Sequence, residues 1–203
     1  MDIVIPCELY SRMIAIPKVL SDDEPRRYFK SIYFERKDNQ LFAVVTNCKI
    51  AAIEYLGVNK GPDEATAIAI DDILKDVCDK ETPFDGNLSI VANSTLKFTA
   101  IKSTFGYQHT NNAFVDLPDN EQFNEWRKWL PKKMPEQSSG AMYWNAYSVA
   151  AIAAASPSGA INFPSFIDTS IPVLITDDHS PNWIGLFICP KGKNQPSTMP
   201  DWV

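Results

Sequence analysis

Cysteine is scarce in this chain of 203 residues, and no Cys-x-x-Cys pair occurs among Cys7, Cys48, Cys78 and Cys189. Scattered cysteines in a chain of this size are typical of free thiols in a reducing compartment and not of a disulfide framework. We therefore expect a cytoplasmic protein without structural disulfides.

The motifs of nucleotide chemistry and of nucleophilic catalysis are missing as well. The chain has no Gly-x-Gly-x-x-Gly sequence and no Walker loop, and neither His109 nor His179 has an evident partner for a catalytic triad. Residues 177–180 (DDHS) are of metal-binding types, but a single turn cannot bring them all to one ion, so we interpret them as a surface loop. The sequence thus predicts a protein that is not an enzyme, with no cofactor and no metal.

Long apolar runs and an excess of positive charge are also lacking. No segment approaches the ~20 apolar residues of a membrane span, and residues 1–12 lack the basic and apolar stretches of a signal peptide. The net charge of −6 argues against a surface that binds nucleic acid all over, although it leaves room for a local basic face. With 45% hydrophobic residues, we expect a globular protein with a real core and no membrane partner.

Residue types that favour β-strands form their longest run at residues 41–57 (LFAVVTNCKIAAIEYLG). Polar residues at 46–49 interrupt this stretch, which predicts a hairpin with strands at 41–45 and 50–56. Before it we predict a strand at 2–5, a helix over 7–20 and a strand at 31–36. The order is strand, helix and three strands.

The same order recurs along the chain. We predict a strand at 65–69, a helix at 71–80, and strands at 87–92, 96–101 and 104–109. A charged, aromatic connector at 119–135 precedes a third cycle, with a strand at 141–144, a helix at 146–155, and strands at 161–167, 173–176 and 183–189. Residues 1–118 would hold two units, residues 136–190 a third, and residues 191–203 a mobile tail. Such repetition predicts an α+β fold built from one repeated supersecondary unit.

Several stretches resemble the bacterial beta clamps, which are DNA sliding clamps. Residues 46–51 (TNCKIA) lie where that family has a Thr-Asp-Gly-His-Arg-Leu-Ala turn, and residues 125–131 (EWRKWLP) resemble its Tyr/Trp-Arg-Arg-Val-Ile/Leu-Pro connector. Residues 143–147 (YWNAY) resemble the start of its last helix. Residues 172–175 and 185–190 resemble its closing strands, which end in Met-Pro-Met-Arg. The resemblance covers roughly residues 1–190, in the same order along the chain, and the short length suggests a phage-type version, located in the host cytoplasm.

The resemblance implies a DNA-clamp-like fold, with helices on one face of antiparallel sheets. It also implies a homo-oligomeric ring around double-stranded DNA that contacts DNA without reading sequence. Such a processivity factor tethers a DNA polymerase or another replication protein, which inserts a short linear peptide into an apolar pocket. Carried over position by position, the pocket residues are Thr46, Cys48, Lys49, Ile50, Ile188, Cys189 and Pro190. For Ile50 and Ile188 a place in the core, and for Lys49 a solvated turn, remain alternatives.

The helices of such a ring face the DNA, and the cations available on them are Arg12, Lys18, Lys75 and Lys80. Acidic residues accompany these cations on the second helix, and the third helix has no charge, so an ordinary solvated surface is the alternative interpretation. Lys132 and Lys133 in the connector are further candidates. The competing functional hypothesis is a clamp-fold adaptor or decoy that captures clamp-binding peptides without encircling DNA.

Overall fold

The computed structural model describes residues 2–5, 19, 30–47, 49–69, 88–93, 98–103, 108–111, 114–115, 122–131, 146–163 and 172–187. These residues form eleven strands, one 3-10 helix (Gln122–Trp129) and one α-helix, α1 (Ala146–Ala155). The strands are β1 (Asp2–Ile5), β2 (Ser31–Lys37), β3 (Gln40–Thr46), β4 (Ile50–Val58), β5 (Glu64–Ala69), β6 (Leu88–Asn93), β7 (Phe98–Ser103), β8 (Gln108–Asn111), β9 (Phe114–Val115), β10 (Val173–Thr176) and β11 (Trp183–Phe187).

The strands form two antiparallel sheets. One has the order β10-β11-β4-β3-β2-β5-β9, and the other has the order β1-β6-β7-β8. The opening strand of each of the first two predicted units pairs with a strand of the other: β1 pairs with β6, and β5 pairs with β2. This exchange of opening strands interlocks the two units. The strands of the predicted third unit, β10 and β11, continue the larger sheet through β4.

Strand β4 is buried over most of its length because the larger sheet is covered on both faces. One face carries a cluster of buried side chains, which are Tyr33, Val44, Ala51, Ile53, Trp126 and Leu186, and Trp129 and Leu130 pack against this cluster. On the opposite face, α1 approaches so closely that a Cβ added at Gly185 would lie 2.8 Å from the Ile152 side chain. A strand covered on both faces needs apolar residues on both sides, which explains the apolar run at residues 50–53. Glu54 interrupts this run and is itself buried.

The fold is α+β, with a helix on one face of antiparallel sheets, as predicted, and most predicted elements that fall on described residues are confirmed. The hairpin β3–β4 has its polar turn at the predicted place, and α1 has the predicted bounds. The 3-10 helix in the connector was not predicted. Neither of the helices described is long and apolar enough to cross a membrane.

Some predictions shift or lie elsewhere. Of the strand expected at 104–109, residues 108–109 are described, and they belong to β8, which extends to Asn111. Of the strand expected at 161–167, residues 161–163 are described, and Asn162 forms a bridge with Thr176. The helix at 7–20 (apart from Val19), the helix at 71–80, the strand at 141–144 and the tail at 191–203 lie outside the described residues. The domain boundaries remain a prediction.

Arg36 ties the end of β2 to the loop between β4 and β5. Its Nε donates to the carbonyl of Pro62 (2.8 Å), and its two terminal nitrogens donate to Asn59 Oδ1 (2.9 Å) and to the Glu64 carboxylate (3.1 Å). A buried guanidinium is stable only when such partners satisfy it. Gly61 lies against this side chain, since a Cβ there would meet Arg36 Cζ at 2.5 Å.

We expect Gly61→Ala to destabilise the fold by about 2–4 kcal/mol, because the new methyl group would displace a buried, hydrogen-bonded guanidinium. Gly57→Ala is the matched control. Gly57 also has positive φ (+101°), but nothing lies within 4 Å of its added Cβ. Backbone strain alone should therefore cost about 1 kcal/mol there. Urea unfolding followed by circular dichroism measures both, and equal losses would contradict the role given to Arg36.

Candidate partner-binding site

The turn between β3 and β4 lies beside the end of β11. In the antiparallel register, Phe187 is opposite Ile50 and Leu186 is opposite Ala51. The chain therefore leaves β11 next to the turn. The sheet thus places the turn beside the end of β11, the strand that directly precedes the predicted pocket residues 188–190 in the sequence.

Asn47 organises this turn. Its Oδ1 accepts hydrogen bonds from the backbone N–H groups of Lys49 and Ile50 (both 3.0 Å), and its Nδ2 donates to the Val19 carbonyl (3.0 Å). The Thr46 hydroxyl donates to the Ile50 carbonyl (2.8 Å). Asn47 was not predicted as a site residue, although an asparagine between two strands is a typical signal for a turn held by a side-chain-to-backbone hydrogen bond.

The predicted pocket residues that the structure describes differ in exposure. Thr46 and Ile50 are buried, with 2% and 1% of their surface exposed, whereas Lys49 is exposed. Ile50 therefore lies in the core, as the alternative interpretation of this residue predicted, and it borders the site. Cys48, Ile188, Cys189 and Pro190 lie outside the described residues, so their part in a pocket remains a prediction.

Two phenylalanines that were not predicted as site residues contact one another at β11. Phe187 is the last residue of β11, and the ring of Phe163 lies against it, with centroids 6.2 Å apart and planes tilted by 31°. Phe187 is buried, whereas Phe163 is 37% exposed. Phe187 directly precedes Ile188, so its position in the sequence could have pointed to it. Phe163 had no comparable signal, since only the fold brings it there.

The four cations expected to face DNA, Arg12, Lys18, Lys75 and Lys80, lie outside the described residues, as do Lys132 and Lys133. Helix α1 is described, and it carries no charged side chain. Its exposed residues are Ala146, Tyr147, Ala150 and Ala154. This helix therefore offers no cation to a phosphate.

The connector is fixed to the face of the larger sheet that lies opposite α1. The Glu35 carboxylate accepts hydrogen bonds from Trp126 Nε1 (2.7 Å) and from the Arg127 guanidinium. Arg127 also lies over two aromatic rings, with its Cζ 4.2 Å from the ring centroid of Trp126 and 5.0 Å from that of Phe42. Burial raises the pKa of the nearby Tyr33 hydroxyl, and the charge of Glu35 raises it further. These contacts join the connector to strands β2 and β3.

The loop at 177–180 is only partly a surface loop, because Asp177 is buried and Asp178 and His179 are exposed. Asp177 accepts hydrogen bonds from the hydroxyls of Ser156 and Ser158 and from the backbone N–H groups of Ser158 (3.2 Å) and His179 (2.9 Å). Burial alone would raise the pKa of this carboxyl, but these hydrogen bonds outweigh burial and lower it to about 2. Within the part of the chain that the structure describes, no group of residues could hold a metal ion.

Two interlocked antiparallel sheets, with a helix on one face and a connector on the other, define a DNA-clamp-like fold. The DNA polymerase III beta subunit of Pseudomonas aeruginosa has a similar structure, with a TM-score of 0.67 over 95% of this chain and 67% of that chain, at 12% identity. The DNA polymerase III beta chain of Streptococcus pneumoniae has a TM-score of 0.66 over 95% of this chain and 65% of that chain, at 12% identity. The DNA polymerase III beta subunit of Thermotoga maritima has a TM-score of 0.60 over 99% of this chain and 66% of that chain, at 9% identity.

The likeness at these identities concerns the fold. The chain spans about two thirds of the length of those beta subunits. No protein-family model matches the sequence, and no curated protein sequence matches it.

Asn47→Ala should destabilise the protein by about 2 kcal/mol, because it removes the acceptor of two backbone N–H groups and the donor to the Val19 carbonyl. Lys49→Ala, in the same turn but exposed, is the control and should stay within about 0.5 kcal/mol of the wild type. Urea unfolding monitored by tryptophan fluorescence makes the comparison. Similar stabilities of the two variants would mean that the turn does not depend on Asn47.

Asp177 should contribute about 2 kcal/mol of stability at neutral pH, because its pKa falls from 3.8 in the unfolded chain to about 2 in the fold. A carboxyl group whose pKa is lower in the folded state stabilises the fold at pH values above its unfolded-state pKa. This contribution is lost as the pH falls towards the folded-state pKa. Asp177→Asn should therefore be less stable than the wild type at pH 7, and about half of that difference should be gone at pH 3. Urea unfolding at both pH values tests this, and a difference that does not change with pH would refute it.

Proposed function

We propose that this protein is a sliding-clamp-like processivity factor, which encircles double-stranded DNA as a homo-oligomeric ring and tethers replication proteins to it. The observation that carries the proposal is the fold, which aligns with beta subunits of DNA polymerase III over 95–99% of the chain. A clamp performs no bond chemistry, which agrees with a sequence that has no convergent nucleophile, base and orienting group.

Ring formation would use the edges of the sheets. The edge strands are β10 and β9 in the larger sheet and β1 and β8 in the smaller one. Asn162 already bridges Thr176 on the outer side of β10. Pairing of sheet edges with a second copy would close the sheets into a ring. A ring of about twelve units, as the resemblance implies, would need about four chains of three units each.

DNA would be held through its phosphates. Arg12, Lys18, Lys75 and Lys80 would supply charge without reading sequence, and α1 would contribute a neutral surface to the same channel. The partner, a DNA polymerase or another replication protein, would dock a short peptide beside the β3–β4 turn. Thr46, Cys48, Lys49, Ile50, Ile188, Cys189 and Pro190 would form or border that site. The clamp would act in the cytoplasm, that of the host if the chain is phage-encoded.

Helix α1 favours a second candidate function, an adaptor or decoy that binds clamp-binding peptides without encircling DNA. This helix has no cation, and Tyr147, at its start, is 88% exposed. A channel lined by such helices would attract phosphates less than a basic one. The two functions share the peptide site and differ in the topology of DNA binding.

The experiment that separates them uses DNA topology. Labelled protein is loaded onto nicked circular plasmid by the replication proteins of its source, and free protein is removed by gel filtration. A clamp should stay on the circle and be lost once a restriction enzyme linearises it, because a ring leaves only through an end.

A variant with Arg12, Lys18, Lys75 and Lys80 changed to alanine is the control for phosphate contacts. It should be loaded less well, while its oligomeric mass by light scattering stays the same. Equal loss of the wild type from circles and from linear DNA would contradict encirclement and favour the adaptor. A monomeric or dimeric mass would contradict a ring of four chains.

A further inference from the structure

We propose that Cys48 and Cys189 form a reversible disulfide that ties the chain after β11 to the β3–β4 turn. Both cysteines lie outside the described residues, and their places in the fold follow from the described residues next to them. The disulfide itself is independent of the proposed function. Its effect on partner binding rests on that function, because both cysteines belong to the predicted pocket set.

Strand pairing brings the two cysteines to the same end of the larger sheet. Phe187, the last residue of β11, is opposite Ile50, the first residue of β4. Cys189 follows Phe187 by two residues, and Cys48 precedes Ile50 by two residues. Since β4 and β11 are antiparallel, both segments extend beyond the same end of the sheet. The two thiols are therefore equally far in sequence from one pair of opposed residues.

The hydrogen bonds of the β3–β4 turn restrict where Cys48 can lie. The Asn47 N–H donates to the Ile50 carbonyl (3.2 Å), and Asn47 Oδ1 accepts from the N–H groups of Lys49 and Ile50 (both 3.0 Å). Cys48 is joined to Asn47 and Lys49, so its Cα is about 3.8 Å from each of theirs. It must therefore remain close to the start of β4.

The distance between neighbouring strands is compatible with a disulfide. Paired strands lie about 4.8 Å apart, and the Cα atoms of bonded cysteines are usually about 4.4–6.8 Å apart. The thiolate is the reactive form of cysteine, and cations stabilise it. The exposed Lys49 directly follows Cys48 in the sequence. In a reducing compartment such a disulfide is transient and responds to the redox state.

The reaction is thiol–disulfide exchange with a small cellular disulfide such as oxidised glutathione. One protein thiolate attacks a glutathione sulfur, forms a mixed disulfide and releases one glutathione thiolate. The second protein thiolate attacks the protein sulfur of the mixed disulfide and releases the other glutathione. Two protein thiols are oxidised to one disulfide while one glutathione disulfide is reduced to two thiols, so the electrons balance. An excess of reduced glutathione reverses both steps.

The disulfide would join the two stretches that border the proposed peptide site, which are residues 46–50 and 188–190. A bond of about 2 Å between the two sulfur atoms leaves no space for a peptide side chain between Cys48 and Cys189. We therefore expect the oxidised protein to bind its replication partners less well than the reduced protein.

The first test incubates the purified chain with oxidised or reduced glutathione, alkylates the free thiols and maps peptides by non-reducing mass spectrometry. The oxidised sample should contain a Cys48–Cys189 peptide from within one chain. Its thermal midpoint should be higher by about 5 °C or more, because the link restricts the unfolded chain. Cys48→Ser should lose both effects, and Cys78→Ser is the matched control that should keep them. Alkylation of both Cys48 and Cys189 in the oxidised sample, or pairing of either with another cysteine, would overturn the proposal.

The second test repeats the loading onto nicked circular plasmid with protein that is oxidised first and then freed of glutathione. The oxidised wild type should be loaded several-fold less than the reduced wild type, and dithiothreitol should restore loading. The double variant with Cys48→Ser and Cys189→Ser, whatever its level of loading, should not respond to oxidation. Equal loading of both wild-type forms would refute the effect on partner binding. If neither form stays on circles, the proposed function fails, whereas the peptide map still decides whether the disulfide forms.

Discussion

The pairing of β4 with β3 on one side and with β11 on the other positions most of the features described above. It joins a hairpin made early in the chain to strands that come more than a hundred residues later. Since side chains alternate between the two faces, a slip of one residue in this register would turn Ile50 and Glu54 away from α1 and expose a different set of apolar groups. The place of the β3–β4 turn beside the end of β11 follows directly from this pairing.

Two buried charges and one half-buried charge secure the margins of the same sheet. Arg36 fixes the loop after β4, Glu35 fixes the connector through Trp126 and Arg127, and Asp177 fixes the end of α1 to the turn before β11. Each of these groups has several hydrogen-bond partners, which offsets the cost of removing a charge from water. They give the covering segments defined positions that apolar packing alone would specify less sharply.

The proposed function rests on shape more than on reactive groups. A ring that slides on DNA needs edges that pair, a channel that tolerates any sequence and a surface that holds a partner. The features of this chain that bear on those needs are the strand edges, the neutral α1 and the aromatic end of β11. Because α1 is neutral, the proposed binding to phosphates would depend on the cations of the helices predicted at 7–20 and 71–80.

The sequence by itself determined the elements with strong local signals. The hairpin at β3–β4, helix α1 and the order of strands could be predicted from apolar runs, polar turns and alanine content, because these depend on neighbours in the chain. Only the tertiary structure decided which strands share a sheet, such as β1 with β6, and which residues lie at the candidate site. The burial of Ile50, the exposed ring of Phe163 and the hydrogen bonds to Asp177 arise from contacts between segments far apart in sequence. No local pattern specifies such contacts, because they exist only once the sheets have formed and the covering segments have packed on them.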